Sequence, residues 1–246
     1  MRFLHLSDLH LCSSPEAIIY GVNPYENLQR VIEKIQAIKD SIDLCVITGD
    51  ISNDGSEESY ELADKALSVL PFPVYVTNGN HDNYHNLMEH RHAKLLSKPI
   101  MSLQGIDFLF LNSIALAEDG SNRSKGFLND HELERVKKVK DQKNPTILLM
   151  HHPVLTSSSW MDRRILINRE TFLSVVASIP HIIAVLSGHN HRSFKRDIGP
   201  CLFSTSPSVS TSYSDYLRPY EEAHSPGFDI LETDGNNVSF NTINTR

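Results

Sequence analysis

Arg2-Phe3-Leu4-His5-Leu6-Ser7-Asp8-Leu9-His10 opens the chain with a short apolar run that ends on a carboxylate and an imidazole. Asp43-Leu44-Cys45-Val46-Ile47-Thr48-Gly49-Asp50 repeats the device: a run apolar enough to be buried on both faces stops at a second carboxylate. Between the two, Asn23-Pro24-Tyr25-Glu26 supplies an N-cap, a proline at the first helical position and a glutamate at N3. Leu28, Val31, Ile32, Ile35 and Ile38 then recur at helical spacing, which predicts a helix over residues 24–40. The unit is strand, helix, strand, with polar side chains delivered where each strand ends. That is where an α/β fold builds its sites.

The unit recurs along the chain. A Glu-rich helix over 57–69 leads to Pro73-Val74-Tyr75-Val76-Thr77 and then to Gly79-Asn80-His81-Asp82. A run at 108–111 and a charged helix over 130–141 precede Thr146-Ile147-Leu148-Leu149-Met150, which ends at His151-His152-Pro153. A helix over 168–178 precedes Ile182-Ile183-Ala184-Val185-Leu186, which ends at Gly188-His189-Asn190-His191. This alternation predicts a parallel-rich sheet covered by helices. After His191 the texture changes to short β-like runs at 194–198, 201–204, 227–231 and 238–243, an antiparallel continuation or a second sheet. The irregular stretch 204–226 reads as a long loop bordering the site. With no tandem repeat, low-complexity tract or linker, a single domain over 1–246 is expected.

Acidic residues number 30 against 23 basic ones, and no basic block exceeds the pairs Lys137-Lys138 and Arg163-Arg164, so a nucleic-acid partner is disfavoured. The first residues run straight into the Asp8 motif with no room for a signal peptide, and no apolar stretch has membrane-spanning length. Cys12, Cys45 and Cys201 are odd in number and far apart, which argues against a disulfide framework. A cytoplasmic enzyme without a membrane partner is expected, with Cys12 as a small packing residue beside the first motif.

The five polar motifs jointly offer two carboxylates, one amide and four imidazoles without a thiolate, a set that suits a pair of divalent or trivalent ions. Two ions roughly 3.5–4 Å apart solve both problems of phosphodiester hydrolysis, making hydroxide at neutral pH and neutralising charge on the phosphoryl oxygens. Asp50, at the end of its strand, is the natural bridge. Asp8, His10 and one histidine of the pair His189 and His191 would complete one ion; Asn80, His151 and the other histidine would complete the second. Each motif alone is weak evidence: Asp-x-His is common, Gly-Asp is usually a turn, and His-His-Pro can simply end a strand. Five in one order, each closing an apolar run, carry the reading.

In order and spelling these motifs resemble those of the calcineurin-like metallophosphoesterases, and more narrowly the bacterial class III cyclic-nucleotide phosphodiesterases. The likeness extends to Tyr20-Gly21-Val22-Asn23-Pro24-Tyr25-Glu26 and to Ser159-Trp160-Met161-Asp162. It implies an α/β fold of two mixed β-sheets packed as a sandwich and flanked by helices. The implied reaction is hydrolysis of 3',5'-cyclic AMP to 5'-AMP through a metal-bridging hydroxide. Asp8, His10, Asp50 and His191 would hold the first ion; Asp50, Asn80, His151 and His189 would hold the second, the ions being iron with manganese, zinc or cobalt. A homodimer is compatible with this reading. His81 resembles the family's outer-sphere histidine, so Asp50 and His81 are the expected catalytic residues.

Expected substrate contacts are Asn80, His81, His191 and Trp160, the only tryptophan, whose indole would either stack on a base or anchor its loop. His152 is open between a partner to the ligands and a packed residue. His224 is a candidate phosphate contact, and His85, His90 and His92 read as solvated. Two alternatives stand beside the main reading. One is a glycerophosphodiesterase or broad-specificity phosphodiesterase of the same fold. The other is a non-catalytic protein-binding scaffold, which would have lost ligands.

Overall fold

In this computed structural model, which describes residues 1–89, 92–116, 122–211 and 226–245, each expected apolar run forms a strand. In chain order the strands are β1 (Arg2–Leu6), β2 (Leu44–Thr48), β3 (Val74–Thr77), β4 (Leu95–Leu96), β5 (Ile100–Leu103), β6 (Ile106–Phe110) and β7 (Ile114–Leu116). They continue with β8 (Asn122–Gly126), β9 (Thr146–Leu149), β10 (Ile182–Ser187), β11 (Phe194–Ile198), β12 (Cys201–Thr205), β13 (Gly227–Thr233) and β14 (Val238–Asn244). The helices are α1 (Pro24–Gln36), α2 (Glu57–Leu67), α3 (Asp130–Lys137) and α4 (Arg169–Ala177). Asn23 caps α1 as its sequence predicts, accepting the Glu26 N–H at 3.0 Å. α1 and α3 stop short of the expected ends because the chain tightens into 3-10 turns at Lys39–Ser41 and Lys138–Asp141.

Two six-stranded sheets result, in the orders β14-β13-β1-β2-β3-β4 and β11-β12-β10-β9-β6-β5, rather than one parallel sheet. β1 to β4 run parallel and β13 and β14 add antiparallel beside β1; β12, β10, β9 and β6 run parallel, with β11 and β5 antiparallel at the edges. The late strands therefore divide. β11 and β12 extend the second sheet, while β13 and β14 return to the first. Phe3, Val46 and Leu231 of one sheet meet Phe108, Leu149 and Leu186 of the other, with Phe3 and Phe108 edge to face at 5.4 Å. α1 and α2 cover the outer face of the first sheet through Val31, Ile35 and Tyr60; α3 and α4 cover the second through Val136 and Phe172. Both sheets are thus buried on both faces, which is why their strands read as continuous apolar runs.

The antiparallel β7–β8 hairpin and the short strands β4 and β5 carry no such signal and escaped the sequence reading. Much of the stretch 204–226, with His224, and also His90 lie outside the described residues. Among the described residues no helix is long and apolar enough to cross a membrane. The parallel strands β1, β2, β3, β9 and β10 all end at the polar motifs, so both sheets deliver their side chains to one place.

Candidate metal centre

The backbone changes hand where these strands stop. Asp8, His10, Asp50, His189 and His191 all take positive φ, from 48° to 69°. Such a conformation costs a non-glycine residue about 1–3 kcal/mol, so five together rival the whole net stability of a typical domain. Surrounding contacts must impose it. Asp8 N–H donates to Gly49 O at 3.1 Å, His10 N–H to Asp50 O at 2.9 Å and Gly188 N–H to His151 O at 3.0 Å, stitching the loops together. The glycines permit this approach: a Cβ on Gly79 would strike the Asp50 carboxylate, and one on Gly188 would strike Ser7 Oγ.

Side-chain donors converge in two overlapping sets. In the first, His10 Nε2 and His191 Nε2 lie 3.0 Å apart, with Asp8 Oδ1 at 3.3 Å from His191 and Asp50 Oδ2 at 3.6 Å from His10. In the second, His151 Nε2 lies 3.3 Å from Asp50 Oδ2, 3.1 Å from Asn80 Oδ1 and 3.1 Å from His189 Nδ1. Asp50 belongs to both. Its position in both sets is the one a bridge needs.

Hydrogen bonds on the far side of the rings fix what the near side offers. His191 Nδ1 lies 2.7 Å from Thr211 O and His151 Nδ1 lies 2.8 Å from Thr48 O. A carbonyl only accepts, so those nitrogens carry a proton and each Nε2 is the nitrogen left to offer a lone pair to a cation. Lone pairs, carboxylate oxygens and an amide oxygen therefore face one another across about 3 Å, an arrangement that repels itself unless cations sit among them. With His189 Nδ1 turned toward this set, its Nε2 carries the ring's proton and is buried without a hydrogen-bond partner. The donor set fits two metal ions.

Titration expresses the same demand for positive charge. Burial opposes the charged form of His151, but the Asp50 and Asp8 carboxylates outweigh it and lift its pKa to about 9. Burial also opposes charge on Asp50, yet His151 and His10 hold it well below the usual carboxylate range. His10, less favourably placed, is pulled by burial to about 3.

All seven expected metal residues are brought together, and His81 joins them at the mouth. Its backbone N–H donates to Asp50 Oδ1 at 2.8 Å, while its exposed ring stands 4.8 Å from that of His10. His152 is buried: its Nδ1 bonds Ser113 Oγ at 2.9 Å, and its ring packs 5.0 Å from His151 and 4.7 Å from His189. A Cβ on Gly126 of the hairpin would collide with it. The structure thus makes His152 a packing partner of the His151 and His189 rings. Trp160 begins the 3-10 turn Trp160–Arg164, capped by Ser159 and Asp162, with the guanidinium groups of Arg163 and Arg164 at 5.5 and 5.2 Å from its ring. His85 is exposed as expected, whereas His92 is half-buried against Asn86 O at 2.9 Å. Burial and the nearby Asp54 push the Cys12 thiol up, away from nucleophilic use.

Asp82 is the residue the sequence reading quoted without assigning a role. Its carboxylate accepts N–H groups from Gly79 at 2.8 Å, Ser52 at 2.9 Å and Ile51 at 3.3 Å, and the Tyr60 hydroxyl at 3.2 Å. It ties the loop that carries Asp50 to the loop that carries Asn80. The signal was available in principle, since a fourth polar residue in Gly79-Asn80-His81-Asp82 has little reason to be buried unless it accepts hydrogen bonds.

Known proteins resemble this chain in sequence and in fold. A 3',5'-cyclic-nucleotide phosphodiesterase of Nostoc sp. is 28% identical over 237 residues, covering 92% of this chain and 85% of the relative. A 3',5'-cyclic adenosine monophosphate phosphodiesterase, CpdA, of Pseudomonas aeruginosa is 29% identical over 214 residues, covering 86% of this chain and 77% of its own length. Among solved structures, a dimetal phosphatase from Danio rerio superposes with a TM-score of 0.71 at 15% identity, over 100% of this chain and 99% of the other. GAP50, the anchor in the inner membrane complex of Plasmodium, superposes with a TM-score of 0.69 at 14% identity, over 100% and 85%. Those two likenesses concern the fold alone. The calcineurin-like phosphoesterase family model matches residues 1–193, and the family binds two metal ions. The chain is a member of the calcineurin-like phosphoesterase family.

Proposed function

We propose that this metal-dependent phosphodiester hydrolase is a dinuclear enzyme that converts 3',5'-cyclic AMP to 5'-AMP. The observation that carries the dinuclear reading is the pair of donor sets sharing Asp50. The substrate reading is supported by relatives named for cyclic nucleotides. Asp8, His10, Asp50 and His191 would hold one ion and Asp50, Asn80, His151 and His189 the other. Imidazole and carboxylate donors without thiolate favour iron with manganese, zinc or cobalt. Because both sheets supply donors, residues 1–246 are read as one domain.

Bound ions supply a hydroxide at neutral pH and positive charge for the phosphoryl oxygens. The chain's own residues do the rest. Thr48 O and Thr211 O hold His151 and His191 in the metal-binding tautomer. As a water oxygen bonds to phosphorus and the bond to the 3' oxygen breaks, His81 donates a proton to the leaving oxygen or a hydrogen bond to a phosphoryl oxygen. Asn80 and His191 border the phosphate, and Trp160 is proposed as an aromatic wall further out. No side chain needs to become covalently attached.

The reading takes a small-molecule substrate in the cytoplasm, with no nucleic-acid partner, since the chain has no basic cluster. A non-catalytic scaffold of this fold has no call on so complete a donor set. A glycerophosphodiesterase would share every ligand and differ in the pocket walls. Steady-state hydrolysis of cyclic AMP, cyclic GMP, a glycerophosphodiester and an aryl phosphodiester, on one preparation of defined metal content, separates the readings. Cyclic AMP should give the highest kcat/KM; a preference for the glycerophosphodiester overturns the substrate, and full activity in chelated protein overturns the metals.

A further inference from the structure

One strand beyond the second donor set, the C-terminal ends of β3 and β6 enclose a cleft of about 270 Å³. It lies at the same end of the sheets as the metal centre. Asn78, on its wall, is two residues before Asn80; Asn112, beside it, precedes Ser113, whose hydroxyl bonds the ring packed on His151.

Thr77, Asn78 and Asn112 give this cleft a neutral polar wall, Tyr84 and Phe110 an aromatic one, and Lys98, Glu132 and Arg135 line the remainder. Asn78 Nδ2 donates to Asn112 Oδ1 at 3.4 Å, and that oxygen also accepts the Ile114 N–H at 3.0 Å. Asn112 is anchored from behind, its N–H donating to Glu132 Oε2 at 3.3 Å. The Thr77 hydroxyl, at the end of β3, is buried without a hydrogen-bond partner. Arg135 donates to Glu132 Oε2 and to Pro99 O, both at 2.6 Å, so its charge is already committed, while Lys98, also on the wall, sets its ammonium 5.9 Å from the Tyr75 ring. At the rim, Tyr84 is 49% exposed, three residues after His81.

We propose that this cleft is the subsite for the purine base of the substrate, with Asn78 and Asn112 reading its edge and Tyr84 covering its face. With Asn112 Oδ1 filled by Asn78 Nδ2 and the Ile114 N–H, Asn112 Nδ2 can donate and Asn78 Oδ1 accept, a pair that matches the adjacent acceptor and donor on an adenine edge, and an exposed aromatic ring stacks on any base. The volume falls just below the roughly 300 Å³ at which pockets for drug-sized ligands begin, so it admits one ring system and its sugar but not a second nucleotide. The assignment rests on the cyclic-nucleotide reading, and it places the base on Tyr84 rather than on Trp160.

The test compares Tyr84→Ala, Asn112→Ala and Trp160→Leu on metal-replete protein, measuring KM and kcat for cyclic AMP and for bis(4-nitrophenyl) phosphate, with metal content. Tyr84→Ala and Asn112→Ala should raise KM for cyclic AMP about tenfold, some 1.4 kcal/mol. The ratio of kcat/KM between the two substrates should fall by the same factor, with metal content as in the parent. Should Asn112→Ala fail to fold, Tyr84→Ala at the exposed rim carries the test. Equal losses on both substrates, an unchanged KM, or selectivity lost only in Trp160→Leu overturns the subsite. A parent enzyme that cleaves the aryl diester but no cyclic nucleotide overturns the substrate reading and the subsite together.

Discussion

His151 and His81 are the same residue type a few ångströms from the same carboxylate, yet their surroundings separate their work. His151 is wholly buried, with its Nδ1 committed to Thr48 O, so its other nitrogen is aimed at the Asp50 carboxylate, where it holds a proton unless a metal ion takes that proton's place. His81 is exposed; its ring makes a 3.3 Å contact with Asn53 O and stands edge to face with that of His10. A ring in water beside the reacting phosphate can pass a proton to it; a buried one turned toward Asp50 is placed to hold a metal ion instead. His81→Ala should therefore keep both ions and lose turnover by about 10²–10⁴-fold, read as kcat alongside metal analysis. Loss of an ion instead would make His81 a ligand. Asp82 acts one step further out. Asp82→Asn sets an N–H₂ group against the N–H groups the carboxylate now accepts, loosening both ligand loops. Apparent metal affinity should fall about 10–100-fold, the usual cost of an altered outer partner, with kcat recovering at saturating metal. Failure to recover would mean that Asp82 does more than hold the loops. The converging donors were legible because they are side chains at strand ends. The carbonyls of Thr48 and Thr211 were not, since a backbone acceptor leaves no mark in the sequence.

β13 shows what the strand pattern conceals. It reads as an ordinary apolar strand, but Asp229 sits in it fully buried, sharing its face with Leu231 of the inter-sheet core. Burial pushes its pKa up to about 7, only partly offset by the Thr242 hydroxyl at 2.6 Å and by Lys195. His5 stands opposite in register but is itself held uncharged, with burial lowering it to about 3, so it supplies no counter-charge. Because the folded pKa exceeds the unfolded value near 3.8, the folded state retains a proton that the unfolded state releases between about pH 4 and 7. Stability from this group is full below pH 4, declines as pH rises and is lost above 7. Asp229→Asn, which mimics the protonated carboxyl, should melt higher than the parent at pH 8, by at most about 4 kcal/mol. The difference should vanish toward pH 4; a gap independent of pH would assign the effect to packing. Elements buried on both faces announced themselves by unbroken apolar runs, and the capped helix by its first turn. What stayed hidden was allocation: runs at 194–205 and 227–243 look alike, yet one pair extends the second sheet and the other returns across the molecule to β1. Strand partnering depends on tertiary contact, which local pattern does not encode.

The two sheets meet twice, once through the apolar layer around Phe3 and Phe108 and once at the polar end, where β1, β2 and β3 of the first face β9 and β10 of the second. The first contact holds at any metal concentration. The second brings carboxylates and lone pairs into mutual repulsion within a chain whose formal net charge is already −7. Metal ions held there would act as cross-links between sheets as well as reagents, and their binding energy would become folding energy. An ion at about 100 times its Kd contributes about 2.7 kcal/mol, which for a chain of this size raises Tm by roughly 5–10 °C. Chelated protein should remain folded, with its apolar layer intact, and melt lower; manganese should restore the higher Tm. The sharing of Asp50 makes the prediction specific. Asp50→Ala damages both donor sets and should abolish most of the manganese-induced shift, whereas Asn80→Ala damages one and should keep about half. Calcium, which prefers more oxygen donors than this imidazole-rich set supplies, should give a smaller shift than manganese. If Asp50→Ala shifted as much as the parent, the ions stabilising the fold would lie elsewhere, and the two sheets would owe their alignment to the apolar layer alone.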